Sequence, residues 1–466
     1  MSSQLAVGAA RCDITPPVGI AHGNWSAQVH ERAEGVDLPL WFTALAASDG
    51  GEEVIISDCD LLFPPDGRWL AEIRNRVTEL TRVPPHHVRI SASHTHSGPS
   101  LSPPWFDAGA EMIEPYLASL TDKMAGTCFD AHQALRPARV GGGTGSCAVN
   151  ANRRLPWKPK YPMMAPNPEG FSDHEVGVIR IDGEDGQLIA TLVNFAAHPT
   201  ILAWDNRMIS TDYPGTVRRT VESLTGGFCL FLQGAAGNQD TVCDFSCRVE
   251  DARWVGRQIG LEAAQVAERI ETRSGKRHIT RFVESSWTMG VSEWVPDEQA
   301  DCRVRCLSRR ISLPLWLRAP PTAQEMAHLE DLQQELASLR SQGVPAEQIR
   351  EANRLARRAT LGLKIARQRS RGADVAIELQ VIRLGTTALV GIPAEPFAEI
   401  GARVKERSPF ATTFFSGYTN GMTAYLPVPE AYDEGGYEVW MTPFAPEAAS
   451  IVVEESVTLL NELKHQ

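Results

Sequence analysis

Two histidines separated by one residue follow an apolar segment in the first quarter of the chain. His94 and His96 lie in the stretch ISASHTHSGPS, residues 90–100, which Gly98 and Pro99 then interrupt. If the apolar run is a strand, alternate side chains point to the same face, so both imidazoles lie on one side of the strand end. Such a pair could bind a metal or exchange protons, or could simply be polar residues at a sheet edge.

Two further potential metal ligands also come directly after apolar runs. His198 follows the run in LVNFAAHPTIL, and Glu395 lies between two prolines in ALVGIPAEPF. Each of these residues taken alone is typical of an ordinary structural position. Loops that follow strand ends are nevertheless where α/β proteins commonly place their sites. The recurrence therefore predicts one shared site that contains His94, His198 and Glu395.

Three other segments carry polar groups that could serve such a site. Residues 233–240, QGAAGNQD, form a small-residue turn whose glycines let the backbone approach a ligand or metal, and they lack the lysine of a P-loop. Arg153 or Arg154, in AVNANRRLP, could bind a substrate oxygen. Residues 414–446 concentrate four of the seven tyrosines of the chain, which indicates either a polar function or the aromatic packing of a loop. These tyrosines are Tyr418, Tyr425, Tyr432 and Tyr437.

The elements that must position these residues are predicted to be short buried strands separated by helices and loops. Apolar runs bounded by Gly, Pro and Asp favour strands buried under helices, and the pattern predicts an α/β fold with mixed, multi-layer sheets covered by helices. An amphipathic closing helix is predicted near residues 447–464. The predicted strands are 53–57, 88–93, 176–181, 188–197, 228–232, 378–384 and 388–392.

A helical hairpin is predicted to be inserted between strands at about residues 318–372. Thr322 and Glu325 have the spacing of a capping box, and leucines then follow at helical spacing up to Gly343 and Pro345. A second, arginine-rich helix is predicted over about 346–369. The hairpin could pack across the body, form an oligomer contact or cover the site. Without a linker-like segment elsewhere, we expect residues 1–466 to form a single catalytic domain.

The bulk composition limits the possible partners and the cellular location. Asp and Glu outnumber Lys and Arg by 57 to 45, so a net charge of −12 argues against a nucleic-acid partner. No apolar run is long enough to span a bilayer, and the N-terminus does not resemble a signal peptide. Nine scattered cysteines suit reduced thiols better than a disulfide framework. We therefore expect a cytoplasmic location, and a homo-oligomer is possible.

Five ordered motifs resemble the catalytic domain of the neutral, non-lysosomal ceramidase family. The resemblance runs from about residue 6 to residue 460, and the opening GAARCDITPPVG also resembles the start of that family. Secreted ceramidases carry a C-terminal immunoglobulin-like domain as well, which we do not expect here. The motifs are SHTHSGP, NFAAHPT, the QGAAGN turn, GIPAEPF and the NGMTAYLPVPEAYDEGGYEV segment.

The resemblance implies a zinc site and a set of catalytic residues. In the family, the first histidine of HTH, a later histidine, a glutamate and a tyrosine bind zinc. A tyrosine twelve positions after the ligand tyrosine stabilises the oxyanion. Carried across by motif, the metal ligands are His94, His198, Glu395 and Tyr425, and the catalytic residues are His96, Arg153 and Tyr437.

This residue set predicts a zinc-dependent hydrolase that cleaves a carbon–nitrogen amide bond of a small-molecule or lipid-like acyl substrate. Two imidazoles and a carboxylate can hold Zn²⁺ with room for a water and a weak fourth oxygen. His96 could pass a proton to the leaving amine, while Tyr437 or Arg153 could stabilise the oxyanion. Two alternatives remain open: an esterase or lactonase with the same zinc site, and a non-catalytic zinc-containing binding protein.

Overall fold

The computed structural model describes residues 4–101, 108–159, 161–296, 301–317 and 319–466. Residue 318, at the edge of the predicted hairpin insertion, lies outside these ranges. The strands are β1 (Ala6–Asp13), β2 (Gly35–Val36), β3 (Trp41–Ser48), β4 (Glu53–Cys59), β5 (Val88–Ala92), β6 (Arg136–Ser146), β7 (Asn150–Lys158), β8 (Tyr161–Asn167), β9 (Glu175–Gly183), β10 (Leu188–Phe195), β11 (Met208–Ile209), β12 (Phe228–Gln233), β13 (Gln239–Thr241), β14 (Gly275–Glu284), β15 (Thr288–Pro296), β16 (Val304–Pro314), β17 (Asp374–Leu384), β18 (Thr387–Gly391), β19 (Glu395–Pro396), β20 (Thr412–Ser416) and β21 (Tyr425–Leu426). The helices are α1 (Arg68–Thr81), α2 (Ile113–Gln133), α3 (Tyr213–Thr225), α4 (Val249–Arg269), α5 (Ala323–Gln342), α6 (Ala346–Arg369), α7 (Ala398–Glu406), α8 (Ala431–Glu434), α9 (Tyr437–Met441) and α10 (Ala448–His465).

Two mixed sheets pack face to face and form the centre of the molecule. The larger sheet has the order β12-β10-β9-β6-β1-β3-β4-β5, and the smaller one has the order β16-β17-β18-β20. One apolar core joins them, in which Leu45 and Leu192 of the larger sheet lie with Ile382 and Phe414 of the smaller. The sheets are mixed because β4–β5, β10–β12 and β18–β20 pair in parallel while the remaining pairs within both sheets are antiparallel.

Helices cover the outer face of each sheet, so the layers run helix, sheet, sheet, helix. Helices α1 and α2 pack on the β3–β5 side of the larger sheet, and α3 and α4 pack on its β9–β12 side. Helices α7 and α10 cover the smaller sheet. The central strands β4, β5, β10, β12 and β18 are buried on both faces, which explains why their apolar runs are nearly continuous. The predicted α/β class with multi-layer sheets under helices is confirmed.

The predicted helical hairpin is present between β16 and β17. Helix α5 begins with a capping box in which the Thr322 side chain accepts a hydrogen bond from the Glu325 backbone while Glu325 bonds back to Thr322. It ends at Gly343, whose φ of 64° is in the left-handed region that suits glycine. Helix α6 then returns antiparallel and packs on α5 through Leu332, Leu336, Ala352 and Ala356. None of the described helices is long and apolar enough to cross a membrane.

Candidate metal centre

Strand ends from both halves of the chain meet at one edge of the sandwich. His94 follows β5, His198 follows β10, and Glu395 begins β19. Glu395 is paired in register with Tyr425 in the short parallel bridge between β19 and β21. The structure therefore brings together residues that are about three hundred positions apart in the sequence.

The two histidines of HTH reach the same centre by a turn, not by strand alternation. Strand β5 ends at Ala92, and His94 has a φ of 70°, so the expectation that both rings lie on one strand face is wrong. The backbone leaves the strand there because the His94 amide bonds to the carbonyl of Leu61. The turn still brings the rings together: the Nε2 atoms of His94 and His96 lie 3.3 Å apart. Strained backbone of this kind is common at functional sites.

Backbone carbonyls fix the tautomers of His94 and His198. The Nδ1 atom of His94 is 2.7 Å from the carbonyl oxygen of Leu62, and Nδ1 of His198 is 2.7 Å from that of Ala236. A carbonyl oxygen only accepts, so each Nδ1 must carry the proton and each Nε2 must offer a lone pair. This carbonyl support is the usual outer shell of a metal-binding imidazole.

The turn of residues 233–240 supplies one of these carbonyls and also touches the glutamate strand. The Gly237 amide donates to the carbonyl oxygen of Pro396, 2.8 Å away. A Cβ atom on Gly237 would lie 2.5 Å from the carbonyl oxygen of Glu395, which is closer than packing allows. Gly237 therefore allows this turn to approach the backbone of the glutamate strand closely, and the contact ties His198 to Glu395.

The arrangement of acceptors at the centre calls for a cation. Oε2 of Glu395 lies 3.1 Å from Nε2 of His198 and 3.5 Å from Nε2 of His94. Burial lowers the pKa of His94 well below its usual value, so this imidazole is neutral. Lone pairs that face a buried carboxylate fit a bound metal ion.

His96 is close to the same centre but is supported differently. The ligand nitrogens of His94, His96 and His198 all lie within 4.8 Å of one another, so three imidazoles could share an ion. Nδ1 of His96 is buried, however, and has no hydrogen-bond partner within the described part of the chain. Its ring lies 4.9 Å from the ring of Trp25. His96 thus lacks the carbonyl support that marks the other two histidines.

The predicted tyrosines and arginine lie on the opposite side of the carboxylate. The Tyr425 hydroxyl accepts a hydrogen bond of 3.2 Å from Arg153, whose side chain is 2% exposed. Tyr437 is the first residue of α9, and its ring centre lies 5.6 Å from that of Tyr425. Tyr437 is 37% exposed and lines the cavity next to the centre, whereas Arg153 is buried and is not among the residues that line it.

Sequence reasoning gave Tyr418 no role, yet it contacts both a histidine and the glutamate. Its hydroxyl lies 3.4 Å from Oε2 of Glu395, and its ring centre lies 4.1 Å from that of His94. Tyr418 is fully buried and has a φ of 50°. The signal available in the sequence was the small-residue setting SGYTNG, which suggests a turn but not which ligand it faces.

A cavity of about 510 Å³ reaches the candidate centre. His94, His96, Glu395 and Tyr425 line one part of it. The rest is mostly apolar and includes Phe63 and Trp69 from the segment around α1, Leu117 from α2, and Leu361 and Ile365 from α6. The inserted hairpin therefore forms one wall of the cavity.

Comparisons of sequence and of structure both find a neutral ceramidase among the proteins similar to this chain. No protein-family profile matches the chain. The neutral ceramidase of Pseudomonas aeruginosa is 21% identical over 469 aligned positions, which cover 94% of this chain and 69% of that protein. The crystal structure of the same bacterial neutral ceramidase aligns with a TM-score of 0.71 at 18% identity and covers 100% of this chain and 75% of that one. A ceramidase complexed with C2 aligns with a TM-score of 0.67 at 17% identity, covering 99% and 76%. The resemblance to the neutral ceramidases predicted from the motifs is confirmed, and the chain has their fold.

Proposed function

We propose that the protein is a zinc-dependent hydrolase that cleaves the amide bond of an N-acyl substrate. One observation carries this proposal: the free Nε2 atoms of His94 and His198 converge on the Glu395 carboxylate at the end of an apolar cavity. The phenol oxygen of Tyr425 provides a fourth ligand beside Glu395, because Tyr425 pairs in register with Glu395 between β19 and β21. Two imidazole nitrogens with oxygen donors form a set that suits Zn²⁺.

The residues around this donor set have separate tasks. When bound, zinc lowers the pKa of a water molecule and polarises a carbonyl group. Burial lowers the pKa of His96 well below its usual value, so its ring is neutral before the reaction. Its Nε2 atom lies 3.3 Å from that of His94, where it can relay a proton to the leaving amine. Tyr437 lines the cavity, and its hydroxyl can donate to the oxyanion that forms on the attacked carbonyl.

The substrate proposed is a lipid-like N-acyl amide. The similar proteins are ceramidases by name, and the cavity of this chain offers apolar walls that suit an acyl chain. Leu361 and Ile365 of the inserted hairpin belong to those walls, so the accepted chain length should depend on α6. Burial of a methylene contributes about 0.8 kcal/mol, which makes chain length a sensitive probe of the cavity.

The deciding experiment combines metal analysis with matched substrates. The wild-type chain and its His198→Ala variant are compared for zinc content and for hydrolysis of an N-acyl amide and an O-acyl ester with the same acyl chain. Zinc in the wild type, lost in the variant together with amide cleavage, supports the proposal. Zinc with ester cleavage alone would assign the site to an esterase. Zinc without turnover of either substrate would leave a binding protein.

A further inference from the structure

The guanidinium of Arg153 is held on three sides by side chains from distant parts of the chain. Its Nε donates to Oε1 of Glu438 at 2.8 Å, and one terminal nitrogen donates to Oδ1 of Asp240 at 3.1 Å. The other terminal nitrogen donates to the Tyr425 hydroxyl at 3.2 Å, and the guanidinium lies 5.5 Å from the centre of the Tyr425 ring. Every nitrogen of the group is therefore engaged, and the group cannot turn towards a substrate without breaking a buried contact.

Glu438 links the Arg153 guanidinium to that of Arg154 and to helix α9. Its Oε2 accepts a hydrogen bond of 2.6 Å from Arg154, so one buried carboxylate bridges both arginines of β7. Glu438 follows Tyr437 directly in α9 and is 1% exposed. The contact therefore fixes α9 against β7, and with it the start of the helix where Tyr437 lies.

Asp240 holds the guanidinium from the other side. It lies in β13, which pairs with β7, and it is 2% exposed. Its Oδ1 atom is also 3.8 Å from Nδ1 of His198. Removing one partner of such a buried, charged set leaves the other charge without compensation and destabilises the fold, so a test of positioning must separate geometry from stability.

We propose that Asp240 and Glu438 are positioning residues that hold Arg153 on the Tyr425 phenol and thereby set Tyr425 as a metal ligand. The proposal rests on the zinc site described above. Arg153 then acts through Tyr425 and has no contact with the substrate. Outer-shell groups of this kind typically change metal affinity or activity by about 10- to 100-fold when they are altered.

The first test measures zinc affinity by competition with a chromophoric chelator. Glu438→Gln and Asp240→Asn should each weaken zinc binding by about 10- to 100-fold. The matched control is Glu434→Gln, because Glu434 also pairs with Arg154 but is 60% exposed. The control should bind zinc as the wild type does. Wild-type affinity in both Glu438→Gln and Asp240→Asn would overturn the proposal.

A double-mutant cycle separates positioning from general destabilisation. In a Tyr425→Phe background, Glu438→Gln should weaken zinc binding no further, because the group through which it acts is gone. An undiminished effect in that background would show that Glu438 acts only on the fold, and the proposal would fail. The cycle is built on Glu438 because Asp240 also lies near His198.

A crystal structure of the metal-free Glu438→Gln variant tests whether Glu438 holds Arg153 on Tyr425, without any reference to zinc. The 3.2 Å contact between Arg153 and Tyr425 should be lost. Its retention would contradict the proposal even if zinc binding were confirmed. If the contact is lost in this variant and the wild-type chain binds no zinc, the zinc hydrolase is disproved while the positioning of Arg153 by Glu438 stands. The two failures are therefore distinguishable.

Discussion

The two sides of the candidate centre are built by different means. The imidazole side, His94 and His198, is oriented by backbone carbonyls of Leu62 and Ala236. The phenol side, Tyr425 and Tyr437, depends on the side chains of Arg153 and its carboxylates. Backbone support resists side-chain substitution, whereas a buried ion network can be altered one charge at a time. The imidazole side should therefore respond in an all-or-none manner, and the phenol side in graded steps.

Removal of an imidazole should give the largest effect. In His198→Ala we expect the zinc content to fall from about one ion per chain to near zero, because two remaining protein ligands and a weak phenol do not hold the ion. Activity should fall by about a thousandfold or more, since several kcal/mol of transition-state stabilisation disappear with the metal. Elemental analysis and kcat/KM measure both quantities.

The control for this variant is His328→Ala, because His328 is an exposed residue of α5. It should keep the zinc content and the activity of the wild type. If His198→Ala retained bound zinc, the imidazole side would have a different ligand set, in which His94 and His96 hold the ion without His198.

Removal of the Tyr437 hydroxyl should separate chemistry from metal binding. We expect Tyr437→Phe to keep its zinc and to lose about 10²- to 10³-fold in kcat, the usual effect of losing one oxyanion donor. Tyr161→Phe, at an exposed tyrosine of β8, is the matched control and should be unchanged. An unaltered kcat in Tyr437→Phe would remove the catalytic role from the phenol side.

The imidazole side was largely predictable from the sequence because its signals are local. His94, His198 and Glu395 each follow a short apolar run, and those runs are strands β5, β10 and β18. Their orientation was not predictable, because it depends on carbonyls from other segments and on the positive φ of His94. The contact that holds Arg153 on the phenol side was not predicted. Arg153 and Glu438 are 285 positions apart, and no local pattern links them.

The fold shows the same division between local and tertiary signals. Runs of aliphatic residues were correctly read as strands, but β6 was missed because its sequence, RPARVGGGTGS, suggests a loop. The structure explains the glycines: a Cβ on Gly142 would lie 2.7 Å from side-chain atoms of Thr387 and Thr412. Gly142 faces the smaller sheet, whereas Gly141, Gly143 and Gly145 face helix α4 and the segment that follows it. A single sequence reveals neither contact.

Gly237→Ala tests whether the backbone support of the imidazole side is as rigid as the contacts indicate. The added methyl group would meet backbone oxygens of Glu395 and Pro396, which cannot move independently. We expect a loss of about 1–3 kcal/mol in the free energy of unfolding from overpacking. Zinc affinity should fall by about 10- to 100-fold as the Ala236 carbonyl shifts away from His198.

Gly126→Ala is the matched control, since a Cβ there meets no atom within 4 Å. This glycine lies inside α2, so alanine should stabilise the helix by up to about 1 kcal/mol and leave zinc binding unchanged. Urea unfolding and chelator competition distinguish the two variants. Tolerance of alanine at position 237 would mean that the carbonyl support is adaptable, and the contrast between the two sides would weaken.

A buried histidine pair that contacts the HTH segment should make the fold sensitive to acid. His22 lies between His30, 3.1 Å away, and the carbonyl oxygen of Ser97, 3.2 Å away. Burial lowers the pKa of His22 to about 4 and that of His30 to about 3, where His22, Arg207 and Arg357 also disfavour the charged form of His30. Both pKa values lie below the value of about 6.5 for an unfolded histidine.

The unfolded chain therefore binds protons below about pH 6.5 that the folded chain binds only near pH 4 and below. Stability from this pair is complete above about pH 6.5 and is lost as the pH falls towards 4, by about 1.4 kcal/mol per pH unit for each histidine. Replacing His30 by Gln should reduce the pH dependence of the free energy of unfolding by about 1.4 kcal/mol per pH unit, which corresponds to one proton. Urea unfolding between about pH 4.5 and 6.5 measures this dependence. His278→Gln, at an exposed position of β14, should leave the slope unchanged. An unaltered slope in His30→Gln would show that the acid sensitivity of the fold does not arise from this histidine pair.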